Sequence, residues 1–311
     1  MMMALDALLP VLLVIATGHV VARIGLVTGD NWRGFEKLTY FVLFPCIIIR
    51  NLALVDFGAL PFVQLGLTLA GAVSIVATFL LLIRTRLERR YGISPARFTS
   101  IFQGSVRWNT FVALAMADQM WGPEGVALIA VAIVAMVPLL NMLSVTVMSR
   151  FANADTPFSL TRLLRDLTRN PYIVATLVGL VINMTGLMPP EAVMTSMEML
   201  GRCALAAGLL VVGASLDIGA LRRPGPALST AAILRLVALP TVAAGLGTLL
   251  GLSGMALAAA VLCTSVPTSS GAYLLAREMG GDAELMAEIL TLQSIAAIVT
   301  LPIALVVLGA M

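Results

Sequence analysis

Charged residues are scarce in this sequence, at 11% of 311 residues. A soluble globular protein carries roughly 25%, so too little polar surface is present to cover a water-facing globule. The single histidine, His19, excludes a two-histidine zinc motif, and the three cysteines form no C-x-x-C pair. P-loop and G-x-S-x-G patterns are absent as well. We therefore expect neither an enzyme nor a bound cofactor, with an intramembrane hydrolase as the enzyme alternative.

Apolar residues make up 60% of the chain, and its mean hydropathy is +1.02. A helix needs about 20 residues to cross the ~30 Å hydrocarbon layer of a bilayer. The apolar segments predict an all-α integral membrane protein of ten transmembrane helices, whose first segment is a span and not a cleaved signal. The predicted spans are Ala4–Val21, Leu38–Leu54, Leu60–Ile83, Phe98–Ala117, Gly125–Met148, Tyr172–Leu187, Ala192–Leu216, Ala227–Leu252, Met255–Ala276 and Leu285–Leu308.

The positive charges are distributed asymmetrically between the loops. With ten spans, every loop Lys or Arg falls on one side except Arg50. Because basic loops stay in the cytoplasm, we predict a multi-pass protein of the plasma (inner) membrane with both termini on the non-cytoplasmic side. Three arginines lie inside spans, namely Arg107, Arg202 and Arg235.

The two halves of the chain resemble each other weakly. Pro10 and Pro171 are followed by Gly-Leu at the same spacing, and Ser105-Val106 matches Ser265-Val266. The pattern predicts a first five-helix repeat at 1–149, a cytoplasmic linker at 150–170 and a second five-helix repeat at 171–311. An odd number of spans per repeat makes the second repeat inverted, which is typical of secondary transporters.

The fourth and ninth spans are the most polar, and they are equivalent in the repeat. Arg107 and Pro267 each lie ten residues from the basic residue at the cytoplasmic edge of their span, which is roughly 15 Å deep at 1.5 Å per residue. Pro267 removes a backbone donor and predicts a break. The break is either part of a binding site or a kink closed by neighbouring hydroxyls. Broken helices near mid-membrane form the substrate sites of many transporters.

A mid-membrane arginine needs a cavity or a partner, and a guanidinium binds a carboxylate well. Arg107 is therefore predicted to neutralise the substrate. The alternative is a structural bond to unwound carbonyls of the ninth span. Gln103 is expected to share a helix face with Arg107. The candidate substrate-binding residues from these spans and their neighbours are Gln103, Arg107, Asn109, Asn141, Pro267, Thr268, Ser269, Ser270 and Gln293.

Four other charged residues are weighed in the same way. Arg202 follows Glu198 by four residues, which predicts an ion pair within one helix. For Arg235 the sequence leaves a choice between helix carbonyls and a carboxylate on another span. Glu198 and Glu288 are the candidates for proton coupling.

Several motifs resemble those of the auxin efflux carrier family, whose bacterial members are often described as malate or malonate permeases. They are LPVLLVIATGHVVARIGLV, KLTYFVLFPCIIIRNLA, RWNTFVALAMA, RNPYIVATLVGLVIN, LLVVGASL and SVPTSSGAYLLAREMGGD. The resemblance covers about Leu9 to Leu308 and adds Pro45 to the candidate site residues. It implies ten spans in two inverted repeats, a scaffold and a transport domain, and a fold similar to that of bile-acid sodium symporters. It also implies organic-anion transport by an elevator-like motion.

The sequence departs from this family at two positions. Ala115 and Met116 stand where the crossover proline of the fourth span is expected, and Ala206 stands at the usual proline position of the seventh. The predicted fold has both crossover helices broken, the fourth and the ninth, and Pro267 is then the proline that remains to break one of them.

The combined prediction is a secondary carrier for a small mono- or dicarboxylate. A sodium-coupled symporter is the alternative within transport, and a membrane-embedded sensor or assembly subunit without flux is the alternative outside it. The expected partners are the organic anion and the lipid bilayer, without nucleic acid, and a homodimer stays open. Direction and coupling also stay open.

Overall fold

The computed structural model describes residues 2–54, 61–152, 161, 165, 168–220 and 225–308. These residues form helices and no strand, which confirms the all-α prediction. In chain order the α-helices are α1 (Met2–Arg23), α2 (Gly29–Leu38), α3 (Phe44–Leu54), α4 (Phe62–Tyr91), α5 (Pro95–Val106), α6 (Thr110–Phe151), α7 (Pro171–Thr185), α8 (Glu191–Ala214), α9 (Pro226–Ile233), α10 (Leu239–Leu249), α11 (Gly254–Ser265), α12 (Ser270–Glu278) and α13 (Ala283–Val307). Most of the predicted 150–170 linker lies outside the described residues.

Six helical segments of the described chain are long and apolar enough to cross a membrane: Gly29–Leu54, Phe62–Tyr91, Pro95–Phe151, Glu191–Ala214, Pro226–Leu249 and Ala283–Val307. Three shorter apolar helices accompany them: Leu9–Arg23, Pro171–Thr185 and Gly254–Ser265. The segment Pro95–Phe151 has 57 residues, far more than the about 20 that one crossing needs. It is interrupted at 107–109 and again at Gly122, whose φ is 60°.

The chain divides into two compact units. The first unit comprises Met1–Phe62, Thr110–Val134 and Leu164–Ser215, and the second comprises Val63–Asn109, Ala135–Leu163 and Leu216–Met311. Each unit therefore draws segments from both halves of the sequence.

Glycines let the helices of the first unit pack closely. α1 packs on α8, and α3 packs on both α7 and α8. A Cβ at Gly179 would lie 2.8 Å from Cβ of Leu52, and one at Gly201 would lie 2.9 Å from Cβ of Ile47. At Gly18 a Cβ would overlap the backbone of Leu210. Small residues at such contacts are the usual means by which membrane helices approach each other.

Substitution of Gly18 by alanine is expected to destabilise the first unit. The added methyl group meets backbone, which cannot rotate away, and overpacking of this kind costs about 1–3 kcal/mol. The melting temperature of the purified protein in detergent measures the effect. Gly34→Ala is the matched control, because Gly34 lies on an exposed helix with open space around it. A melting temperature for Gly18→Ala as high as that of the control would contradict this packing.

Two π-helical turns join consecutive helices, at Thr39–Leu43 and Leu234–Ala238. In the second turn the N–H of Leu239 donates to the carbonyl of Leu234, five residues back. Pro240 follows directly, and its ring pushes on the preceding turn while offering no N–H, so that turn widens. Arg235 lies within this widened turn.

The second unit surrounds α5 and α13, which pack against each other. Ser100 on α5 donates its hydroxyl to the carbonyl of Asp282 at 2.8 Å, and the side chain of Asp282 caps α13 at the N–H of Leu285. Gly104 lies so close to α13 that a Cβ there would be 2.6 Å from Cγ2 of Ile289. This contact places the end of α5 beside the second turn of α13.

Candidate functional site

Two non-helical stretches interrupt the second unit, at 107–109 after α5 and at 266–269 after α11; together they are called the crossover. The first residue of each stretch is extended, with φ and ψ of −72° and 152° at Arg107 and −65° and 150° at Val266. The N–H of Asn109 donates to the carbonyl of Pro267 at 2.9 Å. The two positions that the repeat made equivalent, Arg107 and Pro267, therefore lie in stretches that touch.

Pro267 explains the break in the ninth span. Its nitrogen carries no hydrogen, so the carbonyl of Cys263, four residues earlier, loses its helical donor. The guanidinium of Arg235 supplies a donor instead, with Nη2 at 2.9 Å from that carbonyl oxygen and Nε at 2.7 Å from the carbonyl oxygen of Val266. A side chain from α9–α10 thus compensates for the break.

The fourth span is broken as well, at 107–109, as the prediction of two broken crossover helices requires, although that span contains no proline. No proline is needed, because other helices supply partners for the freed carbonyls of α5. Nε2 of Gln293 donates to the carbonyl of Gly104 at 2.8 Å, and Nη1 of Arg235 lies 3.4 Å from the carbonyl oxygen of Val106. α6 is helical through Ala115 and Met116, where the family pattern suggested a proline.

Gln293 connects both parts of the crossover. Its Oε1 accepts from the N–H of Thr268 at 2.9 Å, and its Nε2 donates to Gly104 and to the carbonyl of Ala231 at 3.1 Å. The side chain is fully buried. Both amide hydrogens are therefore used within the protein, and the geometry gives Gln293 a structural role in holding the crossover.

Arg107 lies beside the start of α12. It is half-buried, and its Nη2 would be 3.8 Å from a Cβ added at Gly271, in the first turn of α12. The N-terminal end of a helix carries partial positive charge from its unpaired N–H groups. The side chain of Ser269, at the N-cap, makes no capping hydrogen bond to α12. Guanidinium and helix end together make this part of the second unit electropositive.

Asn109, Thr268 and Ser269, three of the candidate substrate-binding residues, lie in the same two non-helical stretches as Arg107 and form a polar cluster with it in sequence. Asn109 is 3% exposed, and Ser269 is half-buried. Oγ1 of Thr268 is buried and has no hydrogen-bond partner among the described residues. A buried hydroxyl without a partner carries a desolvation cost of about 1–3 kcal/mol, which a bound ligand would relieve. The side chain of Ser270 lies outside the described part of the chain.

Three other candidate residues remain, namely Gln103, Asn141 and Pro45. Gln103 is fully buried with Nε2 at 3.2 Å from Sδ of Met148. The N–H of Arg107, the C-cap of α5, donates to the carbonyl of Gln103 at 2.9 Å, so the two backbones meet in the last turn of the helix. Asn141 is half-buried on α6, and Pro45 lies at the start of α3 in the first unit.

The predicted ion pair of Arg202 is confirmed, with Nη2 at 2.5 Å from Oε1 of Glu198. Glu198 has a second partner that the sequence did not indicate, because Nη2 of Arg50 lies 2.7 Å from its Oε2. Two guanidinium groups thus hold this carboxylate in the first unit, which favours a structural role over proton coupling.

Two comparisons with known proteins bear on this geometry. A family model described as membrane transport protein matches residues 3–305, nearly the whole chain. No curated protein matches the sequence.

Proposed function

We propose that this chain, which belongs to the membrane transport protein family, is a secondary carrier for small organic anions of the mono- or dicarboxylate class. The family is one of transporters, and the apolar helices make the chain a multi-pass membrane protein. The match also confirms the resemblance to auxin efflux carriers seen in the sequence motifs.

The observation that carries the substrate class is the position of Arg107. A half-buried guanidinium beside the first turn of α12 offers charge and paired donors, which fit the two oxygens of a carboxylate. Asn109, Thr268 and Ser269 are proposed to add hydrogen bonds, and Pro267 to keep the backbone open there. In this proposal the break in the ninth span is part of the binding site and not a simple kink.

The proposed architecture has ten spans in two inverted repeats, at 1–149 and 171–311. Support comes from the crossover, whose two breaks fall at equivalent positions. It also comes from the first unit, where the first span packs on the seventh and the sixth on the second, an exchange that an inverted repeat produces. The division into two units suits a scaffold and a moving transport domain with alternating access.

The proposed location is the plasma (inner) membrane, with both termini on the non-cytoplasmic side. This orientation rests on the basic loops, all but one of whose Lys and Arg residues fall on one side.

A panel of solutes tests the substrate class with the full chain in liposomes. We expect labelled mono- or dicarboxylates to enter, and amines and sugars of similar size to be excluded. A thermal-shift screen of the same solutes on purified protein identifies the ligands to label. Carboxylates that shift the melting temperature without any flux would favour a sensor instead. Uptake that is equal for anionic, neutral and cationic solutes would overturn the proposal.

A further inference from the structure

Arg235 is a fully buried cation whose observed bonds all go to backbone carbonyls. Nε lies 2.7 Å from the carbonyl oxygen of Val266, Nη2 lies 2.9 Å from that of Cys263, and Nη1 lies 3.4 Å from that of Val106. The side chain is 0% exposed. Burial of a charge this deep is costly unless it is paired and hydrogen-bonded, so the carbonyl oxygens form a site shaped for a cation.

These three carbonyls belong to the ends of two half-helices. α5 ends at Val106, and α11 ends at Ser265, just before Val266. The C-terminal end of a helix carries partial negative charge because its last carbonyls lack helical donors. Two such ends approach each other here, and the missing N–H of Pro267 adds the carbonyl of Cys263 to the set. Without a cation between them, these negative ends would repel.

In other transporters with broken helices, unwound carbonyls and half-helix C-terminal ends coordinate Na⁺. In this chain the same kind of oxygen set already holds a guanidinium. The charge is covalently attached and does not exchange with the solvent.

The geometry points to Arg235 as a resident cation that fills a carbonyl-lined monovalent-cation site and thereby holds the two half-helix ends together. Removal of this side chain opens the site to an external monovalent cation. A corollary, which rests on the proposed transport function, is that wild-type anion uptake needs no inorganic cation at this position.

The first experiment measures stability and does not depend on transport. Purified wild type, Arg235→Ala and Arg235→Lys are melted in detergent in choline chloride, with sodium, potassium or guanidinium chloride added at constant ionic strength. We expect Arg235→Ala to melt at a lower temperature and to regain stability with guanidinium, saturably and at concentrations far below denaturing ones. Arg235→Lys should lie nearer to wild type, because it keeps the charge.

Arg202→Ala is the matched control for a general effect of guanidinium. Its side chain is 79% exposed, so its removal opens no buried site, and added guanidinium should leave its melting temperature unchanged. Rescue of both variants to the same degree would overturn the inference. So would an Arg235→Ala protein that folds as stably as wild type in choline.

Transport gives a second test that remains if Arg235→Ala fails to fold. Wild-type uptake of a labelled carboxylate should proceed at the same rate when choline replaces sodium and potassium on both sides of the liposome. Uptake that stops in choline and returns with sodium would overturn the resident-cation inference while supporting the proposed carrier. Absence of uptake in every salt would instead contradict the proposed function, and the stability experiment would still decide the role of Arg235.

Discussion

Replacement of Arg107 by glutamine should lower carboxylate uptake into liposomes by about 10- to 100-fold, because a hydrogen bond to a charged group contributes about 1.5–3 kcal/mol. The loss should appear in the binding of the anion, since glutamine keeps the polar contact but removes the charge. Ligand-induced shifts in melting temperature should shrink in parallel.

The geometry makes this expectation specific to one arginine. Arg107 is half-buried beside the first turn of α12, whereas the guanidinium of Arg235 is fully buried and bonded to carbonyls. The bonds of Arg235 to the crossover carbonyls give that residue a structural role, and Arg107 is the proposed substrate contact.

Two further variants sharpen the Arg107 experiment. Arg107→Lys keeps the charge but loses the paired donors that match a carboxylate, so we expect an intermediate rate. Arg202→Gln is the control for a general effect of arginine removal, because that side chain is exposed and pairs with Glu198 within its own helix. Uptake by Arg107→Gln at the rate of the Arg202→Gln control would show that Arg107 does not bind the substrate.

The place of the crossover was predictable because its signals are local. Each break lies ten residues from a basic residue at the end of its span, and Ser105-Val106 repeats as Ser265-Val266. Pro267 acts on the carbonyl four residues earlier in its own helix. Such information is contained in short stretches of sequence, so the pairing of the two positions and the break in the ninth span both followed from it.

The break in the fourth span followed only from its equivalence to the ninth in the repeat, because its stabilising partners are distant in sequence. Gly104 and Gln293 are 189 residues apart, and Val106 and Arg235 are 129 apart. The sequence around Arg107 contains neither proline nor an obvious breaking signal. Only the packing of α9, the π-helical turn Leu234–Ala238 and α13 against α5 shows which side chains satisfy its free carbonyls.

Arg235 carried a signal that sequence reasoning did not use. It is a charged residue inside an apolar span, and Pro240 stands five residues later, where it widens the turn that contains Arg235. π-helical turns occur frequently at functional sites. The combination indicates a special position, but the identity of its partners depends on tertiary structure.

Gln293→Met should lose both stability and transport, since methionine has a similar length but no amide. The substitution leaves the N–H of Thr268 and the carbonyl of Gly104 buried without their present partner, and each such group costs about 1–3 kcal/mol. The expected drop in melting temperature is several degrees, because a loss of about 1 kcal/mol lowers the melting temperature by ~2–4 °C in proteins of roughly 150–250 residues.

Gln293→Glu tests whether the shape of the side chain or its hydrogen-bond donors stabilise the crossover. The carboxylate still accepts from the N–H of Thr268. Its second oxygen, however, places negative charge against the carbonyl oxygens of Gly104 and Ala231, which in the wild type accept from Nε2 of Gln293. We therefore expect it to be at least as damaging as methionine, although it is nearly isosteric. Ser294→Ala is the control from the next position, because that hydroxyl donates within its own helix, to the carbonyl of Leu290. If Gln293→Met melts and transports like Ser294→Ala, the amide does not hold the crossover, and the fourth-span break must be stabilised in another way.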